Sequence, residues 1–120
     1  MEHVYYFEKL DVWQNARTFV KNIYLTTEHF PDKEKFGITN QIRRAALSNT
    51  ANIAEGFARN SNLEKARFIN IAYSSCIEVI NFLILSLDLN FIDEEKYQQL
   101  RMEAEKISNQ LNALHKTLTK

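Results

Sequence analysis

Ser61-Asn62-Leu63-Glu64-Lys65-Ala66-Arg67-Phe68-Ile69-Asn70-Ile71-Ala72-Tyr73-Ser74-Ser75-Cys76-Ile77-Glu78-Val79-Ile80-Asn81-Phe82-Leu83-Ile84-Leu85-Ser86-Leu87-Asp88-Leu89-Asn90 is the stretch on which the fold turns. Its first four residues have the form of a capping box, in which a serine accepts from the backbone three residues on and a glutamate reaches back. Phe68, Ala72, Ser75, Val79, Phe82 and Leu83 then follow one stripe at helical spacing. With Asn90 suited to a C-terminal cap, the pattern predicts a helix over about 62–89. Ile69, Ile71, Cys76, Ile80, Leu85 and Leu87 widen the stripe over most of the circumference. A helix this apolar is either central or shared with a partner.

Downstream, Asp93 is placed to cap a helix over about 94–118, with Glu94 and Glu95 where the dipole favours acids. Tyr97, Leu100, Ala104, Ile107, Leu111, Leu114 and Leu118 alternate spacings of three and four, a coiled-coil seam. Upstream, Thr39 suits the cap of a helix over about 40–58 that would bury Ile42, Ala46, Ile53 and Phe57. Asp11 suits the cap of a first helix over about 12–28, with Val12, Ala16, Phe19, Val20, Ile23 and Tyr24 inward. Phe7 and Leu10 should fold back onto its start as a hydrophobic staple does. His29 to Gly37, with Pro31, is the evident loop. Short links make neighbours antiparallel, so the expected fold is an all-α, up-down antiparallel four-helix bundle occupying residues 1–120 as a single domain.

Composition agrees. The 120 residues include two glycines, Gly37 and Gly56, and one proline, too little turn chemistry for an all-β fold. Fifteen basic residues balance fifteen acidic ones, so whole-chain charge offers polyanions no attraction and any such site must come from clustering. The single Cys76, in an apolar run, is expected to be a small buried hydrophobe. The start of the chain lacks the basic and apolar regions of a signal peptide. Val79 to Leu89, broken by Asn81, Ser86 and Asp88, falls short of the ~20 apolar residues of a membrane span. The expected location is cytoplasmic, without a membrane partner.

Reactive groups do not converge in the sequence. His3, His29 and His115 are scattered, and the positions three before the last two are Thr26 and Asn112, so the Glu-x-x-His motif of di-iron bundles is missing. No glycine-rich phosphate loop occurs, and one cysteine cannot build a zinc site. No catalytic residue, metal or cofactor is expected, and the chain is not expected to be an enzyme.

One segment resists a bland account. Ser48, Asn49, Thr50 and Asn52 are mediocre helix formers within five positions of the second helix. Either they bond across a close helix–helix contact or they meet a ligand. Glu78, flanked by Ile77 and Val79, would be costly if buried unpaired. It is expected to pair with Arg44, or else Arg43, unless it lies on a solvated stripe. Arg44, Ser48, Asn52, Glu55 and Glu78 form the expected structural polar network. Between Thr39 and Arg67 the basic residues Arg43, Arg44, Arg59, Lys65 and Arg67 outnumber Glu55 and Glu64. In a symmetric ring such a local excess is repeated in every subunit.

The order Phe7, Leu10-Asp11-Val12-Trp13-Gln14-x-Ala16, Ile23-Tyr24, Phe30-Pro31, Glu34-x-Phe36-Gly37-Ile38-Thr39-x-Gln41-Ile42-Arg43-Arg44-Ala45-Ala46 and Asn52-Ile53-Ala54-Glu55-Gly56 resembles the bacterial four-helix-bundle protein family, also called the 23S rRNA intervening-sequence protein family. The likeness continues through Arg59-x-Ser61, Phe68-x-x-x-Ala72-x-x-Ser75, Glu78 and Leu89-x-Phe91-Ile92. It implies a left-handed up-down bundle that assembles into a homopentamer, encoded within large-subunit ribosomal RNA genes or as a free-standing gene. A related branch acts beside a reverse transcriptase in diversity-generating retroelements, through a basic ring that binds nucleic acid. The family's characteristic Arg44, Asn52, Glu55, Gly56 and Glu78 are present. Thr50 stands where many relatives have proline, and Asn90 where they have glycine. The expected function is therefore a non-catalytic oligomer that binds RNA or DNA, or assists a nucleic-acid enzyme, through Arg43, Arg44, Arg59 and Arg67. The alternative is a protein-interaction scaffold that docks a protein partner and binds no nucleic acid.

Overall fold

The computed structural model describes residues 2–120. Four long helices, α1 (Asp11–Thr27), α2 (Ile38–Gly56), α3 (Asn62–Asp88) and α4 (Glu94–Leu118), are accompanied by short 3₁₀ turns at Tyr6–Lys9 and Asp32–Glu34. Each long helix packs on its two neighbours around the bundle, so α1 lies diagonally from α3 and α2 from α4. The core is filled by Ile23, Ile42, Ile53, Ile69, Leu83, Leu100, Ile107 and Leu111, all without appreciable exposure. The seam expected on α4 is this buried face.

Local chemistry explains where the helices start. Ser61 Oγ accepts from the Glu64 amide at 3.1 Å, and the Asp93 carboxylate accepts from the Lys96 amide at 2.8 Å. The capping box is only half formed, because the Glu64 carboxylate turns to Arg67, 3.4 Å away. Two expected caps are corrected. Asp11 is the first residue of α1, behind an extended Leu10, and meets the dipole without bonding the backbone as a cap. Thr39 lies inside the first turn of α2, where the Glu34 carboxylate sits below the helix start and accepts from the Ile38 amide at 3.5 Å. The staple takes the form of Phe7 edge-on to Trp13, with ring centroids 5.0 Å apart.

At the far end of α3 the Phe91 amide donates to the Ser86 carbonyl at 2.8 Å, and the Asn90 amide to the Leu87 carbonyl at 3.0 Å. This is a Schellman motif, and Asn90 adopts the left-handed φ of 61° that it requires. Phe91 closes the motif against Phe30, 5.4 Å away.

By length and composition α3 is apolar enough to cross a membrane, with an 18-residue window of mean hydropathy 1.7. The apolar run is thus longer than the Val79–Leu89 stretch expected from the sequence. Its inner face, Ile69, Ala72, Cys76, Val79 and Leu83, is buried in the core of the bundle. Its flanks are not covered: Ile71, Ile77, Ile84 and Leu85 are 38–44% exposed.

Candidate nucleic-acid interface

The polar segment of α2 bonds partly across the contact with α3, through Ser48 and Asn49, and partly back onto α2 itself, through Thr50 and Asn52. Ser48 Oγ and Ser75 Oγ share a hydrogen bond of 2.8 Å, and Asn52 Nδ2 donates to the Ser48 carbonyl at 2.8 Å. Asn49, 2% exposed, donates from Nδ2 to the Ala72 carbonyl of α3 at 2.7 Å. Small side chains are needed here because the helices approach closely. A side-chain carbon on Gly56 would lie 2.9 Å from the Cβ of Phe68 and 3.4 Å from the Lys65 carbonyl oxygen.

The expected network is therefore corrected in its membership. Ser48 and Asn52 belong to it, joined by Ser75 and Asn49. Arg44, Glu55 and Glu78 are exposed, and the ion pairs among the described residues are Arg67–Glu64 and Arg101–Glu105. Glu78 pairs with neither Arg44 nor Arg43. It projects from the outer side of α3 into water and needs no buried partner. Arg44 and Glu78 do line one shallow polar cleft of about 380 Å³ with Gln41, Ala45 and Ser48.

The four arginines also separate. Arg43 is half-buried and turned onto the end of α1. Its Nε donates to Thr27 Oγ1 at 2.8 Å, its guanidinium lies 4.5 Å from the Tyr24 ring centroid, and Nη2 reaches the Tyr24 carbonyl at 3.4 Å. Those contacts add a cationic donor to a Thr27 hydroxyl that itself donates to the Ile23 carbonyl, and to a Tyr24 carbonyl that already accepts from the Glu28 amide. Arg44 lies roughly 20 Å along the axis from Arg59, at 1.5 Å per residue.

Arg59 and Arg67 come together. Their guanidinium carbons stand 4.7 and 4.8 Å from the centroid of the same Phe68 ring. The ring is buried and fixed by the close packing at Gly56, so it holds two flexible cations in place through cation–π attraction. Glu64 is the carboxylate bonded to the pair, at Arg67. Two like charges on one ring repel, and a bound anion between them relieves that repulsion.

This corner belongs to the end of the bundle where α1 and α3 begin and α2 and α4 finish. By position in the helices Lys9, Arg59, Lys65, Arg67, Lys116 and Lys120 belong to this end, against Glu8, Asp11, Glu55 and Glu64. At the opposite end Asp88, Asp93, Glu94 and Glu95 flank the link between α3 and α4. A neutral chain is thereby polarised along its axis. The same basic end holds an open hollow of about 400 Å³ lined by Tyr6, Phe57, Asn62, Lys65 and Leu118. Neither the aromatic hollow nor the role of Phe68 was singled out from the sequence; aromatics beside basic residues are the signal that would have found them.

No metal-holding group of three or more His, Cys, Asp or Glu side chains occurs among the described residues. Cys76 is buried and its thiol donates to the Ala104 carbonyl at 3.1 Å. Burial pushes that thiol up to about 12, against a weaker opposing effect of a Ser108 backbone hydrogen bond. It stays protonated and behaves as part of the core.

No curated protein matches the chain. A crystal structure from Bacteroides thetaiotaomicron, of a protein of unknown function from the S23 ribosomal protein family, is similar with a TM-score of 0.79. The match covers 88% of this chain and 98% of that one at 24% identity, a likeness of fold. The family is carried by the sequence itself: residues 8–113 match the model of the 23S rRNA-intervening sequence protein, and the chain belongs to that family.

Proposed function

We propose that this protein is a non-catalytic homo-oligomer, of five subunits as the family resemblance implies, that binds RNA or DNA through its basic end. The observation that carries the nucleic-acid reading is the pair Arg59 and Arg67 fixed on Phe68, with guanidinium groups suited to phosphate oxygens. Arg43 is withdrawn from the contact set because α1 occupies it, and Arg44 stands apart near Glu78.

Assembly is supported by the uncovered flanks of α3. Ile71, Glu78, Phe82 and Leu85 lie along one side at helical spacing; Tyr73, Ile77, Ile80 and Ile84 lie along another. Such rows beside a packed core are the kind of surface that copies of a chain share. Arg44 and Glu78, unpaired in one cleft, offer opposite charges to a neighbouring copy. Repetition around a ring multiplies a local excess of charge that one neutral subunit hardly projects.

Titration with structured RNA at rising salt tests binding, since phosphate contacts give a falling log–log dependence. Arg59→Ala with Arg67→Ala should weaken binding and flatten the slope, whereas absence of binding at low salt removes the reading. Light scattering tests assembly; a monomer at micromolar concentration defeats the ring. The exposed flanks of α3 also favour a second reading, a scaffold that docks a protein partner. Co-purification of one defined protein after nuclease treatment, together with no RNA binding, supports that alternative.

A further inference from the structure

We propose that the hollow at the basic end receives an unpaired nucleobase, so that the protein holds single-stranded rather than duplex nucleic acid. This rests on the nucleic-acid reading above and specifies the form of the partner.

The hollow suits a base stacked on its aromatic side. Tyr6 and Phe57 pack on each other, with ring centroids 5.5 Å apart and tilted by 34°, into one aromatic wall, and Leu118 adds an apolar side. Asn62 supplies an amide able both to donate to and accept from a base edge. Tyr6 is 62% exposed, so one ring face is open to a partner. Its backbone is nevertheless ordered: it begins a 3₁₀ turn pinned by the Glu8 carboxylate, which accepts from the Tyr5 amide at 2.7 Å.

The surrounding charge supplies the rest of a nucleotide strand's requirements. Lys65 lines the hollow itself, and Phe68, with Arg59 and Arg67 on its ring, follows one helical turn later. A base on Tyr6 therefore has cations for its own phosphate and for those further along the strand. In a duplex the base faces are already stacked on their neighbours, and a hollow with an aromatic wall has nothing to engage. Stacking is tolerant of sequence because every base has a flat face.

Fluorescence anisotropy on the full chain tests this, with labelled oligo-deoxythymidine, oligo-uridine and a blunt duplex of equal length. Single strands should bind about tenfold or more tighter than duplex. Tyr6→Ala should weaken single-strand binding about tenfold while leaving the salt slope and duplex binding unchanged, and Tyr6→Phe should retain the affinity. Circular dichroism of the Tyr6→Ala variant should match the parent, since the side chain is largely exposed. Duplex binding equal to single-strand binding, or a Tyr6→Ala variant with full affinity, overturns the base site; the phosphate contacts then stand if Arg59→Ala and Arg67→Ala still weaken binding. Failure of every oligonucleotide to bind at low salt overturns both readings.

Discussion

Gly56 and Phe68 are packed so closely that a side-chain carbon on Gly56 would lie 2.9 Å from the Cβ of Phe68. The obstacle is the root of a buried side chain, which cannot swing aside. Gly56→Ala should force α2 and α3 apart and lower the unfolding free energy by about 2 kcal/mol, as overpacking does. Urea denaturation checks this: the midpoint should fall with little change in slope. Because the same contact fixes the ring beneath Arg59 and Arg67, the variant should also bind nucleic acid less tightly.

Asn49 is a buried amide, 2% exposed, that donates across the contact to the Ala72 carbonyl at 2.7 Å. Asn49→Asp keeps the shape and removes the donor, turning a carboxylate towards a carbonyl oxygen. The loss at neutral pH should be about 3 kcal/mol, as for a buried charged group left without its partner. Burial raises the aspartate pKa above its unfolded value. The unfolded state therefore releases its proton first, and the variant should regain stability as the pH is lowered. Thermal melts across acid and neutral pH would show the gap from the parent narrowing towards acid; a constant gap would contradict the buried geometry.

The contrast between Asn49 and Glu78 shows what was legible in the sequence. α3 and α4 could be read because Ser61 and Asp93 cap with their own side chains and because the apolar spacing is unbroken. The starts of α1 and α2 were less legible, since Leu10 carries no capping group and the Glu34 carboxylate reaches α2 from an earlier turn. Glu78 looked buried because its sequence neighbours are Ile77 and Val79. Burial follows the face of the helix, however, and only Val79 of the three points into the core. Asn49 was legible as one of four polar residues at a close contact or a ligand, and the Ala72 carbonyl opposite it decides for the contact. The basic site was half legible: the excess of arginine was visible, but the ring that unites Arg59 with Arg67 and the α1 end that captures Arg43 depend on tertiary contacts.

Arg43 gives a direct test of that capture. Its guanidinium carbon lies over Tyr24, 4.5 Å from the ring centroid, while Nε donates to Thr27 Oγ1. Arg43→Ala should lower stability by about 1–2 kcal/mol, through a lost charged hydrogen bond and a lost cation–π contact. Arg43→Lys should recover little, because an ammonium cannot make both contacts with one planar group. Neither change should alter the salt dependence of nucleic-acid binding. A flatter salt slope in either variant would return Arg43 to the set of phosphate contacts.

Cys76 supplies a pH dependence of the opposite sign to that of the aspartate variant. In the folded chain burial holds its pKa at about 12, raised from an ordinary 9.0. The folded state therefore keeps the proton after the unfolded state has begun to lose it. The resulting stabilisation is fully present below about pH 9 and is withdrawn as the pH rises from there towards about 12. The slope should approach about 1.4 kcal/mol per pH unit for this one thiol. The informative quantity is the difference between the parent and Cys76→Ala, which isolates this one thiol. Cys76→Ala should be less stable at neutral pH because it leaves a small void, and the two unfolding free energies should converge as the solution becomes alkaline. A thiol reagent should meanwhile react with the native parent only as fast as the chain opens. Rapid labelling of the native protein, or parallel stability curves for the two chains, would mean that the thiol reaches solvent and that the α3–α4 contact is looser than its 3.1 Å Sγ–Ala104 hydrogen bond indicates.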